Sequence, residues 1–98
     1  MIRNTAIALL LVGMWSCTPS NEFIPIVKVG DNLIGRPELM SDTLRTNIVQ
    51  VLTYYNEAWK MEGDRLLVSQ DDRELHWNYT TKAMDREWLS AHRLVQKD

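Results

Sequence analysis

The sequence predicts a small single α+β domain ordered helix–β-hairpin–helix (αββα), preceded by a signal peptide and an extended arm. Three observations carry this fold class. Leu44, Ile48, Val51, Leu52 and Tyr55 recur at helical spacing behind Ser41. Residues 58–62 and 65–69 alternate with period two around Gly63-Asp64. Trp77, Met84, Trp88, Ala91 and Val95 fall on one face of a second helical stretch.

The chain begins with one cation, Arg3, followed by the uncharged run from Ala6 to Met14 and then Trp15-Ser16-Cys17. A basic start, a short apolar stretch and a small residue at the cut describe a secretory signal peptide. A membrane-spanning helix needs about 20 apolar residues. The run from Thr5 to Ser16 is too short, and Thr18-Pro-Ser-Asn21 is polar. Met14-Trp15-Ser16-Cys17 resembles the lipobox of bacterial lipoproteins, with Trp15 standing where the family carries a small side chain. That resemblance implies removal of residues 1–16 and lipidation of Cys17, whose acyl chains would anchor the protein in the membrane. Thr18, in place of Asp, implies sorting to the periplasmic face of the outer membrane in a Gram-negative cell. Ordinary cleavage would instead leave a soluble periplasmic protein with an unpaired thiol. A single cysteine excludes an intrachain disulfide framework.

Cleavage before Cys17 would leave 82 residues, enough for one small domain. It would also take away Arg3, leaving 10 basic against 13 acidic side chains and a net charge of −3. Such a balance carries no electrostatic footprint for nucleic acid and no polybasic patch for anionic lipid. Attachment to a membrane then depends on the acyl group. The expected organisation is signal peptide at 1–16, lipid-anchored tether and extended arm at 17–37, and the α+β domain at 38–98.

Taken in order, Thr18 to Glu22 reads as a tether. Phe23-Ile-Pro-Ile-Val-Lys-Val29 favours an extended strand, and Pro25 confines it to an edge or an arm. Its β-rich sequence is suited to dock on the domain, to join a partner's sheet edge or to stay exposed. Gly30-Asp-Asn32 and Gly35-Arg-Pro37 punctuate it as turns. Ser41 is the expected N-cap of a helix over about 41–55, and Asn56 suits the left-handed residue that ends it. The hairpin register places Glu62 opposite Arg65, Met61 opposite Leu66 and Trp59 opposite Val68. One face then carries Trp59, Met61, Leu66 and Val68, which the two helices are expected to cover. Trp59 is accordingly assigned to the core.

The last stretch admits two readings at its start. Asp71 with Glu74 reads as an acidic capping box opening a helix over about 72–95. Leu75, Trp77 and Tyr79 alternate, as they would in a third strand. Spacing sustained out to Val95 favours the helix. The order helix, Trp/Met strand, Gly turn, Leu-Leu-Val strand and helix from Ser41 to about Val95 is similar to small ring-building modules in ring-forming lipoproteins of bacterial secretion systems.

Sites for chemistry are few. His76 and His92 belong to no ligand cluster, so helix-flank histidines are the expectation. Asp71, Asp72 and Glu74 lack the Asp-x-Asp-x-Asp-Gly spacing of a calcium loop and read as helix-capping charges. Glu57, Glu62 and Asp64 surround the hairpin without a partner histidine and read as solvated charge. Trp59, Trp77 and Trp88 are expected to pack rather than to stack on sugars. No phosphate-binding glycine loop or nucleophile elbow is present. No catalytic residue, metal site or cofactor is therefore expected. The reading that follows is a non-enzymatic, membrane-anchored interaction module of the cell envelope, with a protein partner there and no nucleic acid. The alternative is an envelope hydrolase or glycan-binding factor built on the tryptophans and carboxylates around the hairpin.

Overall fold

The computed structural model describes residues 18–92. Among these residues, two antiparallel sheets and three α-helices make up an α+β fold. Strands β1 (Asn21–Glu22), β2 (Ile26–Val29) and β3 (Asn32–Gly35) come first, followed by a 3₁₀ turn at Pro37–Leu39. Helix α1 (Asp42–Tyr54), strands β4 (Trp59–Glu62) and β5 (Arg65–Val68), and helices α2 (Arg73–Ala83) and α3 (Arg86–Ala91) follow. The expected αββα order does not hold. Three strands precede the first helix, and the long final helix is two shorter ones. Val95, which extended the expected helical face, lies outside the described residues.

Helix α1 forms where the amphipathic spacing places it. Ser41 caps it, its Oγ accepting from the Leu44 N–H at 3.1 Å. Leu44, Ile48, Val51 and Leu52 are buried, whereas Tyr55 at the end of the same stripe is exposed. Asn56 takes φ +60° and ends the helix in the left-handed region.

The β4–β5 hairpin has the expected register, Glu62 opposite Arg65, Met61 opposite Leu66 and Trp59 opposite Val68. Gly63 supplies a φ of +66° while Asp64 has none above zero, the φ signature of a type II′ turn. Strand β5 is central, paired with β4 on one side and β1 on the other. Leu66, Leu67 and Val68 are all buried. Their neighbours across β4 are not, which corrects the expectation that Trp59 belongs to the core: Trp59 is 36% exposed and Met61 40%.

Within residues 17–37, expected as tether and extended arm, residues 21–22, 26–29 and 32–35 are integral strands. The Phe23 N–H donates to the Leu66 carbonyl at 2.8 Å, and the Phe23 ring is buried among Leu44, Ile48, Val51, Leu52, Leu66, Val68, Tyr79 and Ala83. The core thus reaches well ahead of residue 38, where the arm was expected to end. Strands β2 and β3 form a second hairpin around Gly30 (φ +62°) and Asp31. Pro25 sits just before β2, and its carbonyl accepts from the Arg36 N–H at 2.7 Å. Three contacts fasten this hairpin to α2. The Ile26 N–H donates to Thr80 Oγ1 at 3.2 Å, Arg73 donates to the Leu33 carbonyl, and Lys28 Nζ lies 4.9 Å from the Trp77 ring centroid.

The break between α2 and α3 has a local cause. Asp72, rather than Asp71, caps α2, its carboxylate accepting from the Leu75 N–H at 3.1 Å. Asp85 repeats the device thirteen residues later, accepting from the Glu87 and Trp88 N–H groups at 3.0 and 3.2 Å. An aspartate that bonds the following backbone starts a new helix in preference to continuing an old one. Polar residues of α1 complete the ends. Asn47 donates to the Ala83 carbonyl and Gln50 to the Leu89 carbonyl, groups in the last turns of α2 and α3.

Candidate functional site

The free edge of β4 is the surface on which backbone and side chains converge. A two-residue hairpin makes the pair next to its turn, Glu62 and Arg65, a hydrogen-bonded pair. Lys60 and Leu67 are the next such pair, so the N–H and C=O groups of Trp59 and Met61 point away from β5. The opposite side of β5 agrees with this phase: the Leu66 and Val68 carbonyls accept from the Phe23 and Ser20 N–H groups. Among the described residues, no strand pairs with the outer side of β4.

Beside that edge the Trp59 and Met61 side chains close one wall of a groove of about 330 Å³. Asp42, Arg45, Thr46 and Val49 of α1 form the other wall. The Trp59 indole N–H donates to Thr53 Oγ1 at 3.2 Å, which fixes the ring against α1 while leaving its outer part in solvent. On the opposite face of β4, Lys60 and Glu62 alternate with these residues. Their charged ends are 4.0 Å apart, and Glu62 also lies 3.5 Å from Arg65.

The expected site residues are scattered by the fold. Cys17, the predicted lipidation site, lies outside the described residues. Glu57 accepts the Tyr79 hydroxyl at 2.7 Å. Burial, followed by the nearby Glu57, pushes the Tyr79 phenol well above its ordinary range, so it stays a donor. Glu62 belongs to the Lys60–Arg65 charges. The tryptophans have separate surroundings. Trp77 lies under Lys28, and Trp88 stacks on His92 with ring centroids 4.2 Å apart beside Tyr54 and Tyr55. No group of three or more His, Cys, Asp or Glu is placed to hold a metal among the described residues.

His76 departs from the helix-flank expectation. It is 3% exposed, its ring centroid lies 4.5 Å from that of Phe23, and its Nε2 has no hydrogen-bond partner among the described residues. Burial lowers its pKa, opposed by hydrogen bonding with the Gln70 backbone and by the charges of Asp71, Asp72 and Glu57. A histidine buried neutral must gain its proton on unfolding. The unfolded chain therefore binds more protons between the depressed folded value and the ordinary value near 6.5. Stability should be complete above that ordinary value, fall as pH drops below it, and level off below the folded value. Urea unfolding from about pH 8 to about pH 5 should show this decline, and His76→Leu should flatten it. An unchanged pH slope in His76→Leu would remove His76 as its source.

No family model, curated protein or solved structure matches this chain.

Proposed function

We propose that this protein is a membrane-tethered, non-enzymatic interaction module of the bacterial cell envelope, anchored through a lipidated Cys17. The observation that carries the interaction reading is the β4 edge. Among the described residues it leaves backbone groups unpaired beside two exposed apolar side chains, the combination that strand addition by a partner protein uses. The carboxylates near the hairpin favour binding over catalysis, because Glu57 and Glu62 are engaged with different neighbours, Tyr79 and Arg65, and neither hydrogen-bonds a histidine among the described residues.

The anchor reading rests on the leader, on the lipobox-like Met14-Trp15-Ser16-Cys17 and on a lone cysteine. With β1 starting at Asn21, the tether after Cys17 is Thr18-Pro19-Ser20. Three residues span at most about 11 Å. A lipid on Cys17 would therefore hold the β1 edge within about 11 Å of the headgroups, on the outer membrane's periplasmic face by the Thr18 rule. The other sheet edge, β4, would stay free for another envelope protein.

Intact mass of the protein extracted from membranes tests the anchor. The expected mass is that of residues 17–98 plus acyl groups, with Cys17→Ser moving the protein out of the membrane fraction. A mature chain without acyl mass, or an unprocessed one, would sink the lipoprotein reading while leaving the edge untouched.

A further inference from the structure

We infer that the occupant of the β4 edge is a second copy of this chain, paired antiparallel about a two-fold axis through Met61. The inference rests on reading that edge as an interaction surface and names its partner. Lys60 and Glu62 carry the argument because they flank Met61 symmetrically. When β4 meets itself antiparallel with Met61 opposite Met61, each Lys60 stands across from the other copy's Glu62. Both cross-strand pairs are then of opposite charge.

Backbone phase and side-chain size select the same register. The outward-pointing groups belong to Trp59 and Met61, so hydrogen bonds between copies must link odd-numbered residues to odd-numbered residues. Shifting the pairing by one residue breaks this phase and sends the apolar side chains to opposite faces. A shift by two residues in one direction puts Lys60 against Lys60, and in the other Glu62 against Glu62. Of these three in-phase registers, only the Met61-centred one avoids both. It also sets Trp59 opposite Gly63, where no side chain competes for space and an aromatic ring can lie over the bare backbone.

The two-fold axis is perpendicular to the sheet, so α1 of both copies lies on the same face. Trp59 and Met61 from each copy then meet between the two α1 helices, covering the side chains that are 36% and 40% exposed in the single chain. The result is one continuous six-stranded sheet, β1-β5-β4 joined to its symmetry mate. Such a contact is isologous and closes on itself, which limits assembly through this edge to dimers. Both β1 strands lie at the outer edges of the joined sheet, so a two-fold axis along the membrane normal lets both tethers reach one bilayer.

Charge exchange tests the register as well as the contact. Full-length mature protein in detergent, with micelles in large excess, is followed by analytical ultracentrifugation and native mass spectrometry across the micromolar range. The parent should dimerise. Lys60→Glu and Glu62→Lys should each weaken the dimer by about ten-fold or more, since both cross-strand pairs become like-charged. An equimolar mixture of those two variants should recover a one-to-one heterodimer, because two carboxylates then face two ammonium groups. Met61→Pro should also abolish dimerisation. The N–H it removes faces the free edge, so the β4–β5 ladder keeps its bonds, and a melting temperature close to the parent's at a concentration where the parent is monomeric checks that the fold survives.

A parent that stays monomeric throughout overturns the second-copy inference. If Met61→Pro in that monomer still abolishes a crosslink to another envelope protein in cells, the interaction reading stands without it. A parental dimer insensitive to all three variants places the contact elsewhere and overturns the inference. Failure of the mixed variants to recover overturns the register.

Discussion

Truncating Phe23 should cost this domain about 3–5 kcal/mol, the range for removing an aromatic side chain from a packed core. The same change at Trp59 should cost only about 1–2 kcal/mol, because part of that ring is already in water. Phe23 is 1% exposed, contacts the α1 and β5 core, and lies against His76. Its backbone N–H also ties β1 to β5. A cavity there is bounded by elements from both ends of the chain, so no single helix can shift to fill it. For a domain of this size the loss approaches total stability. Urea unfolding of residues 17–98 carrying Cys17→Ser would rank the two variants. A larger loss for Trp59→Ala than for Phe23→Ala would mean that the leading strands are not part of the core. The same reasoning predicts that a fragment beginning at residue 38 does not fold.

That ranking reverses what size and spacing in the sequence indicate, and the reversal shows which signals were legible. Helix α1 was legible because its cap, apolar stripe and left-handed terminator all point the same way. The β4–β5 register was legible because Gly63-Asp64 leaves room for only two loop residues. The second hairpin carries the same Gly-Asp pair at Gly30-Asp31, but Pro25 and the run from Phe23 to Val29, apolar at every position except Lys28, disguise its alternation. Residues in that run bury themselves against α2 and β5, contacts more than forty positions away that no local period encodes. At the other end, the helical face through Met84 looks unbroken. Asp85 is both a tolerable helix residue and an N-cap, and only the folded context decides between them.

The candidate site was hidden by the same ambiguity. Alternation correctly puts Trp59 and Met61 on one face with Leu66 and Val68. Burial then depends on how far α1 overhangs the sheet, and it covers β5 while leaving a groove beside β4. What the sequence did carry is the alternation of Lys60 and Glu62 on the other face. A free edge commonly carries a charge that discourages further pairing. Opposite charges two residues apart, centred on an outward-bonding residue, do the reverse for an antiparallel copy.

The hydroxyl of Thr80 should prove as necessary to the β2–β3 hairpin as its apolar contacts. Ile26 is 3% exposed and Thr80 1%, and the Ile26 N–H reaches Thr80 Oγ1 with no solvent between them. Thr80 in turn donates to the His76 carbonyl at 2.8 Å. Thr80→Val keeps the shape and a similar helix propensity but leaves the buried Ile26 N–H without an acceptor, at a cost of about 1–3 kcal/mol. The His76 carbonyl loses less, since the backbone N–H of residue 80 still reaches it within the helix. Thr80→Ser keeps the oxygen and gives up one methyl, for about 0.8 kcal/mol. The direct readout is amide hydrogen exchange at Ile26, which should quicken by about ten-fold or more in Thr80→Val and little in Thr80→Ser. If Thr80→Ser proves the more damaging of the two, the methyl rather than the hydroxyl holds the hairpin on α2.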